Sequence, residues 1–464
     1  MNFPRYSKNP RIEQSLRHSV RDGVAYSFMA GAGETYFSAY ALFLMATSAQ
    51  ISWLAALPSL LGSLAQLFSA WLAGRTGQRK LIILLGVALQ AAMWLPIVWL
   101  PYFFPVNAVP ILIVCVALYF AGGHLAAPMW NSLMGDLVPE RRRGRFFARR
   151  GRLMSITTFV ALAAAGLILH FGKAEDHTRF AFSLIFSLAA LARIYSAIQL
   201  ARMHDPKPVP HPLDLPPLAG AWARMRASHF ARFTIFLATM NFAVAIASPL
   251  FTVFMLRDLH FTYLQYMTCT ALAVLLQFLT LGIWGRLGDI FGNRLVMLAT
   301  GCIIPVFPVL WLVSTNYWYI LALQAMGGVF WAGFSLSAGN FLYDVSAPEQ
   351  RAVFSAVHNV LSSLTIFAGA LLGGFLSLVI PDQITLFGHA IVWTSSLWGV
   401  LLISTLARAG VALIFLPRLR EVREVRKLTP VGLMLRVARF NALTVLIFDT
   451  LALTRRRLRS SGPV

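Results

Sequence analysis

The sequence predicts an all-α membrane protein whose twelve transmembrane helices form two six-helix halves. Of its 464 residues, 58% are hydrophobic and only 12% are charged, and the mean hydropathy is +0.69. Soluble domains carry about 25% charged residues, so this composition indicates an integral membrane protein. Two further observations divide the chain: it has twelve long apolar segments, and a proline-rich stretch separates the first six from the last six.

The twelve segments each approach the length of about 20 mostly apolar residues that a spanning helix needs. In the first half, spans 1 to 6 are predicted at 23–46, 51–73, 81–103, 109–134, 153–171 and 180–199. In the second half, spans 7 to 12 are predicted at 233–256, 263–284, 295–314, 318–342, 354–380 and 391–416.

The basic residues predict the orientation of the spans, because Lys and Arg concentrate in cytoplasmic loops. With both termini in the cytoplasm, the outer loops keep only Lys173, Arg179 and Arg257 of the 39 basic residues, and Arg193 lies inside a span. We therefore expect a multi-pass protein of a bacterial inner (plasma) membrane. The net charge of +22 is then explained by topology and by attraction to anionic lipids at the cytoplasmic face. The sequence contains no soluble basic domain of the kind that would indicate nucleic-acid binding.

The predicted domains follow this division. A basic cytoplasmic N-terminus (1–21) precedes an N-terminal six-helix bundle (22–203). A cytoplasmic linker (204–229), stiffened by proline, leads to a C-terminal six-helix bundle (230–417). The basic tail (418–464) contains an apolar run at 441–453 that is too short to span. We expect it to lie on the inner leaflet as an amphipathic helix, and the stretch 11–21 to do the same.

Matching sequence features recur in both halves at nearly one offset. The loops after spans 2 and 8 align Gly77 with Gly292 and Arg79 with Arg294, an offset of 215 residues. Pro-Glu-x-Arg follows both span 4 and span 10, and Leu-Ala-Arg stands near the ends of spans 6 and 12. Internal repetition of membrane segments is a recurring design of transporters.

The loop at 285–294 resembles the signature loop of the major facilitator superfamily (MFS), roughly Gly-x-Leu-x-Asp-Arg-x-Gly-Arg-Arg/Lys. It keeps Asp289 and Arg294 but departs at Ile290 and Asn293, while the first-half copy has Gly74 in place of the aspartate. The resemblance covers residues 20–417. It implies the MFS fold, with two pseudo-symmetric bundles around a central cavity, and transport by alternating access of the two halves.

The resemblance also implies a cytoplasmic gate. Asp289 would dock on the start of span 5, near Arg152, while Arg79 would pair with Asp136 and Arg294 with Asp344. The alternative is a pair of tight turns with solvated charges.

Glu34 is the single acidic residue that the sequence places in the middle of a predicted span. A carboxyl group within a membrane is costly and usually functional. We interpret Glu34 as a candidate for proton or cation coupling, with His124 as a second candidate. The alternative is a structural pair between Glu34 and Arg193 of span 6.

By resemblance, spans 1, 4, 7 and 10 line the cavity, so their aromatic and amide residues are candidates to bind a solute. These residues are Tyr36, Tyr40, Trp130, Asn131, Asn241, Gln324, Trp331 and Asn340. Each of them could instead make an ordinary contact between helices.

The sequence contains no enzyme motif that we recognise and predicts no metal site or cofactor. The function it favours is secondary active transport of a small solute of unknown identity by alternating access, with a proton or another coupling ion as an option. The alternatives are a transporter-like scaffold or sensor without flux, and a lipid-translocating member of the same superfamily.

Overall fold

The computed structural model describes residues 6–139, 142–206, 229–345 and 351–422, except 382, 387–388, 393–394 and 396, and also residues 425, 429 and 432. The greater part of the linker, the tail beyond 422 with its apolar run at 441–453, and most of the two Pro-Glu-x-Arg loops lie outside the described residues.

The described part of the chain is helical apart from one short hairpin. In the N-terminal half, span 1 comprises Pro10–Ala32, a 3-10 turn at Glu34–Tyr36, and Phe37–Phe43. Spans 2 to 6 are Ser48–Thr76, Arg79–Phe103, Ala108–Leu137, Arg143–Ala174 and Thr178–Ala201.

The C-terminal half repeats this order. Span 7 comprises His229–Ala245, Leu250–Val253 and the π-helical Phe254–Asp258, and span 9 comprises Asn293–Gly301 and Val306–Leu310. Spans 8, 10, 11 and 12 are Tyr263–Phe291, Tyr317–Asp344, Arg351–Val379 and Leu397–Phe415. Between spans 11 and 12, strands β1 (Gln383–Leu386) and β2 (His389–Val392) pair antiparallel.

The predicted all-α membrane fold is confirmed. Among the described residues, eleven helices are long and apolar enough to cross a membrane. Span 1 is the twelfth, and its first helix, Pro10–Ala32, carries five charged residues that lower its hydropathy. The stretch 11–21 belongs to this helix and is not a separate surface helix, because Leu16, His18 and Val20 are buried within the N-terminal bundle. Span 1 therefore begins more than ten residues earlier than the sequence predicts.

The internal repeat extends to the local structure. Spans 2 and 8 both begin with a capping box, Thr47 with Gln50 and Thr262 with Gln265, again 215 residues apart. In each box the threonine side chain accepts from the backbone N–H of the glutamine, and the glutamine side chain accepts from the backbone N–H of the threonine.

Two spans at equivalent places in the halves are interrupted. Span 1 breaks at Gly33–Tyr36 and span 7 breaks at 246–249, which are nearly equivalent positions at the repeat offset. Broken helices at mid-membrane expose backbone groups and are typical of transporter binding sites. In span 1 the break holds Glu34.

The buried core is shared by the halves at one end of the molecule and divided at the other. We call the end where span 1 begins and span 12 finishes the terminal end, and the opposite end the far end. One hydrophobic cluster contains residues of both halves near the far end, whereas the clusters near the terminal end each belong to a single half.

Contacts between the halves near the far end are specific. Tyr263 of span 8 packs edge to face on Phe182 of span 6, and the Nζ of Lys173 lies 5.6 Å from the centre of the Tyr263 ring. The Arg257 guanidinium donates to the Ser48 hydroxyl over 2.9 Å. These contacts close the far end.

Spans 5 and 8 separate toward the terminal end. Near the far end, Gly166 packs so closely on Met267 that a Cβ atom would lie 2.6 Å from the Met267 Cβ. Gly151 and Gly282 lie fifteen residues closer to the terminal end, within about 60° of the same helix faces. A Cβ atom at either position would meet nothing within 4 Å. The bundles therefore diverge from the far end, and the molecule opens at its terminal end.

Candidate functional site

Two adjacent cavities lie in the N-terminal half, with volumes of ≈ 420 Å³ and ≈ 320 Å³. Their linings share Phe120 and His124 of span 4. The larger cavity is lined by five of the six spans, including Asp22, Tyr26, Gln90, Trp130, Asn131, Arg150, Met154 and Arg193. The smaller is lined by spans 1, 2 and 4, including Glu34, Ser38, Pro58 and Ser59. Volumes of this size suit a small organic solute.

Glu34 faces the smaller cavity from the broken part of span 1. Its Oε1 accepts a hydrogen bond of 2.5 Å from the hydroxyl of Tyr119, which is fully buried and packed against Trp94. The alternative of a direct pair with Arg193 is wrong for this conformation, because the Arg193 guanidinium donates instead to Gln90 and to Ser196. Among the described residues, Glu34 thus has a neutral partner and an open side toward a cavity.

A buried polar network that the sequence reading missed lines the larger cavity. The guanidinium of Arg150 lies 3.3 Å from the carboxylate of Asp22, and the Ser196 hydroxyl donates to that carboxylate over 2.7 Å. Ser196 also accepts from Arg193, so both arginines connect to one acid. Asp22 is 4% exposed, so Glu34 is not the only acid within the bundle.

The sequence did carry a signal for this network. Asp22 and Tyr26 are four residues apart, so a helix that started at Pro10 would place them on one face. Tyr26 lies near enough to Asp22, Glu34 and Arg193 to experience the charge of all three. Because the predicted span 1 begins at residue 23, it leaves Asp22 outside the span and does not predict this face.

His124 lies between the two cavities and is oriented by spans 2 and 4. Its Nδ1 is 2.8 Å from the amide nitrogen of Gln66. Space for the ring exists because residue 62 of span 2 is glycine: a Cβ atom there would lie 2.8 Å from the His124 Nε2. A close approach of this kind excludes any larger residue unless the ring moves.

Replacing Gly62 with alanine is therefore expected to displace the His124 ring and to break its hydrogen bond with Gln66. We expect a loss of about 1–3 kcal/mol in unfolding free energy, the usual cost of overpacking a core. Gly74→Ala in the same helix is the matched control, because a Cβ atom at Gly74 meets nothing within 4 Å. Alanine there should leave stability unchanged or raise it by up to about 1 kcal/mol. Thermal unfolding of both variants in detergent measures the difference, and equal midpoints would contradict the packing.

The predicted cavity residues divide into two groups. Trp130 and Asn131 line the larger cavity, with the Arg150 guanidinium 4.5 Å from the centre of the Trp130 ring. Tyr36 and Tyr40 do not line either cavity: both are almost completely buried, and their hydroxyls donate to the backbone carbonyls of Leu162 and Ile97. The candidates in the C-terminal half lie outside both linings, namely Asn241, Gln324, Trp331 and Asn340.

The N-terminal half carries a set of ion pairs at the predicted gate. The Arg79 guanidinium donates to Asp136 over 2.7 Å, as the sequence predicts, and also to Ser132 and to Asp205 at the beginning of the linker. Arg79 is 2% exposed. Next to it, Lys80 donates to the carbonyl of Met203. We call these contacts the N-terminal clasp; they join spans 3 and 4 to the end of span 6.

The equivalent residues of the C-terminal half bond differently. Asp344 accepts from the Asn293 side chain over 2.7 Å and not from Arg294, so the predicted Arg294–Asp344 pair is wrong. Asn293 begins span 9 directly after Gly292, whose φ of +89° turns the chain. The side-chain amide of Asn293 therefore occupies the position beside Asp344 that Arg294 was predicted to take. Arg294 bonds to the segment after span 12, through its Nε to the Leu419 carbonyl and through its backbone N–H to Glu421.

Asp289 is exposed and makes no hydrogen bond or ion pair with any described residue. Its predicted docking on the start of span 5 is therefore not formed in this conformation, in which the terminal ends of spans 5 and 8 are apart. The role of Asp289 in a closed gate stays a prediction.

The two helical bundles pack together at one end and separate at the other, and polar cavities lie within the N-terminal bundle. Such an arrangement is typical of membrane transporters. The sequence model of the Major Facilitator Superfamily matches residues 23–252 and 232–454. The chain belongs to that superfamily and is a multi-pass protein of a membrane transporter family.

Similar solved structures share the fold. The nucleoside transporter NupG superposes with a TM-score of 0.62 at 14% identity, covering 88% of this chain and 99% of that one. A D-xylose–proton symporter gives 0.63 at 12% identity, covering 89% and 99%. A bacterial homologue of the human lysosomal transporter Spinster, in an inward-facing and unoccupied conformation, gives 0.57 at 15%, covering 81% and 84%. At these identities the likeness shows the fold alone. No curated protein sequence matches the chain significantly.

Proposed function

We propose that the protein is a secondary active transporter that moves a small solute across the bacterial inner membrane by alternating access. The observation that carries this proposal is the combination of a packed far end with separate terminal cores. Contacts such as Arg257–Ser48 close one side, while Gly151 and Gly282 face open space on the other. One conformation thus offers access from a single side.

With both termini in the cytoplasm, as the basic residues favour, this conformation is inward-facing. Asp289 is then a gate residue that acts in the opposite state. Closing the terminal end would bring spans 5 and 8 together and place Asp289 near the start of span 5, where free backbone N–H groups favour an anion. The N-terminal clasp around Arg79 holds its own half rigid during this movement.

We further propose that Glu34 couples transport to protons. It stands in a helix break and faces a cavity, and its carboxyl group accepts a hydrogen bond from the neutral Tyr119. A carboxyl group that no cation contacts in a membrane interior is readily neutralised by a proton. His124, which faces both cavities and bonds to the Gln66 amide, is a second group that could exchange a proton with Glu34.

The test of transport can begin before the solute is identified. Proteoliposomes in a mixture of metabolites receive an imposed proton gradient, and mass spectrometry then compares their contents with those of protein-free vesicles. We expect at least one small solute to accumulate only with protein and gradient together. If every solute stays at the protein-free level, the chain is better explained as a scaffold; accumulation of lipid probes alone would favour a lipid translocator.

A locked variant provides the matched control. A Cβ atom at Gly374 of span 11 would lie 2.7 Å from the Ser52 Cβ of span 2, at the far end. Cysteines at these two positions need to separate by about 1 Å to form a disulfide. In a Cys302→Ser background, oxidised S52C/G374C should lose accumulation and recover it with reductant. In each single cysteine variant, oxidant should leave solute accumulation unchanged. Full transport by the oxidised double variant would contradict alternating access.

A further inference from the structure

We propose that the larger cavity binds a small organic anion with one carboxylate and an apolar, ring-sized body, and that Arg193 is the residue that binds the carboxylate. This inference rests on the proposed transport function, because it names the chemical class of the solute.

The first observation is an incomplete set of partners around Arg193. Its guanidinium is 4% exposed, in the second half of span 6, and lines the larger cavity. One terminal nitrogen donates to Ser196 over 2.8 Å, and the other donates to Gln90. The Nε–H is buried without an acceptor among the described residues. A buried donor without a partner is costly, and a carboxylate suits the planar donor edge of a guanidinium better than any neutral acceptor.

The second observation is the comparison with the equivalent arginine of the other half. Arg408 lies 215 residues further on and is equally buried, at 2% exposed. Its Nε donates to the Ser404 hydroxyl over 3.0 Å, and a terminal nitrogen donates to the Val244 carbonyl. The position equivalent to Ser404 in the first half is Ala189, whose side chain offers no acceptor. The fold therefore supplies an acceptor for the Nε–H of Arg408, whereas the Nε–H of Arg193 has none among the described residues.

The third observation is the balance of charge in the lining. The larger cavity contains two arginines and one acid, and that acid, Asp22, lies in an ion pair with Arg150. Arg193 forms no ion pair with a carboxylate among the described residues, although Asp22 and Glu34 lie near enough to act on its charge. When Glu34 carries the proton proposed above, Arg150, Arg193 and Asp22 together leave one net positive charge, which favours a monoanion over a cation and over a phosphate dianion.

The remaining wall selects the body of the solute. Val87, Phe120, Ala126 and Met154 provide apolar surface beside the ring of Trp130. A cavity of ≈ 420 Å³ accommodates a ring with a short side chain. An apolar ring therefore packs on this wall while the carboxylate reaches Arg193.

The test compares carboxylates with the neutral amides of the same shape. Isothermal titration on purified protein in detergent uses benzoate, 3-phenylpropanoate and indole-3-acetate, each beside its amide. We expect at least one carboxylate to bind at least about tenfold more tightly than its amide, the ratio that one well-placed charged hydrogen bond produces. Arg193→Gln should remove this difference, and Arg193→Lys should retain part of it.

Two further variants keep the result interpretable. Arg408→Gln removes the equivalent buried arginine and should leave the preference for the carboxylate unchanged. Met154→Trp fills the partly exposed side of the cavity without removing a charge, so we expect this variant to fold and to bind the carboxylate more weakly. It therefore tests the cavity even if Arg193→Gln fails to fold. Amides that bind as tightly as carboxylates, or a preference that survives Arg193→Gln, would overturn the proposal.

Binding and transport are separable in this design. Carboxylate binding without accumulation of any solute would contradict the transport proposal and leave the site intact. Accumulation of neutral solutes by a protein that does not distinguish carboxylates from amides would contradict the site and leave transport intact.

Discussion

Replacing Arg79 with alanine is expected to lower the unfolding free energy by about 3 kcal/mol, the largest loss of stability that we predict. Arg79 is 2% exposed and neutralises both Asp136 and Asp205, so its removal leaves two carboxylates near one another without their cation. Breaking a buried ion pair typically costs about 3–5 kcal/mol. We place this site at the lower end because the Asp136 side chain is 42% exposed and water can partly replace the lost partner. Thermal unfolding in detergent measures the change.

Arg294→Ala is the matched control for Arg79→Ala, because the two arginines occupy equivalent positions in the repeat. The Arg294 side chain donates to the Leu419 carbonyl, and its bond to Glu421 uses the backbone N–H, which alanine keeps. We expect a loss of about 1 kcal/mol, as for one hydrogen bond to a neutral acceptor. Equal losses in the two variants would mean that the N-terminal clasp contributes nothing beyond a generic loop contact.

Glu34→Gln is expected to reduce proton-driven accumulation to the level of protein-free vesicles, the largest functional effect that we predict. Glutamine keeps the size of the side chain and can still accept from the Tyr119 hydroxyl, but it cannot carry a proton between states. Accumulation of the solutes found with the metabolite mixture, with and without a proton gradient, measures the effect. Exchange of labelled for unlabelled solute without a gradient should persist, since it needs no net movement of protons.

Two variants distinguish coupling from loss of structure. Tyr119→Phe removes the hydrogen bond to Glu34 but keeps its carboxyl group, so it should weaken accumulation without abolishing it. Glu175→Gln changes an exposed acid after span 5 and should behave as wild type. If Glu34→Gln accumulates solute normally, Glu34 is not the coupling group, and Asp22 with its two arginines becomes the network to test.

The two gate loops illustrate how far a motif can predict contacts. The loop at 285–294 keeps the family aspartate, and the copy near Arg79 lacks it, so the second copy looks better preserved in sequence. In the structure, the N-terminal loop keeps the predicted contact and the C-terminal loop does not. The N-terminal loop forms the predicted Arg79–Asp136 pair and adds Asp205, while in the C-terminal loop Asn293 bonds to Asp344 in place of Arg294. Span 3 begins at Arg79, whereas span 9 begins at Asn293, one position earlier in the repeat. This shift places the asparagine, and not the arginine, beside the acid at the end of span 10.

The sequence by itself determined the number of spans, the division into halves and the repeat, because the bilayer requires long apolar helices and repeated units keep their offsets. It also singled out Glu34, since a carboxyl group within an apolar segment is conspicuous. Only the tertiary structure placed Asp22 beside Arg150 and showed that, among the described residues, the Arg193 Nε–H has no acceptor while that of Arg408 has one. These facts depend on how distant helices rotate and pack, and on a few ångströms of separation between side chains far apart in the chain. Periodicity and composition do not carry that information.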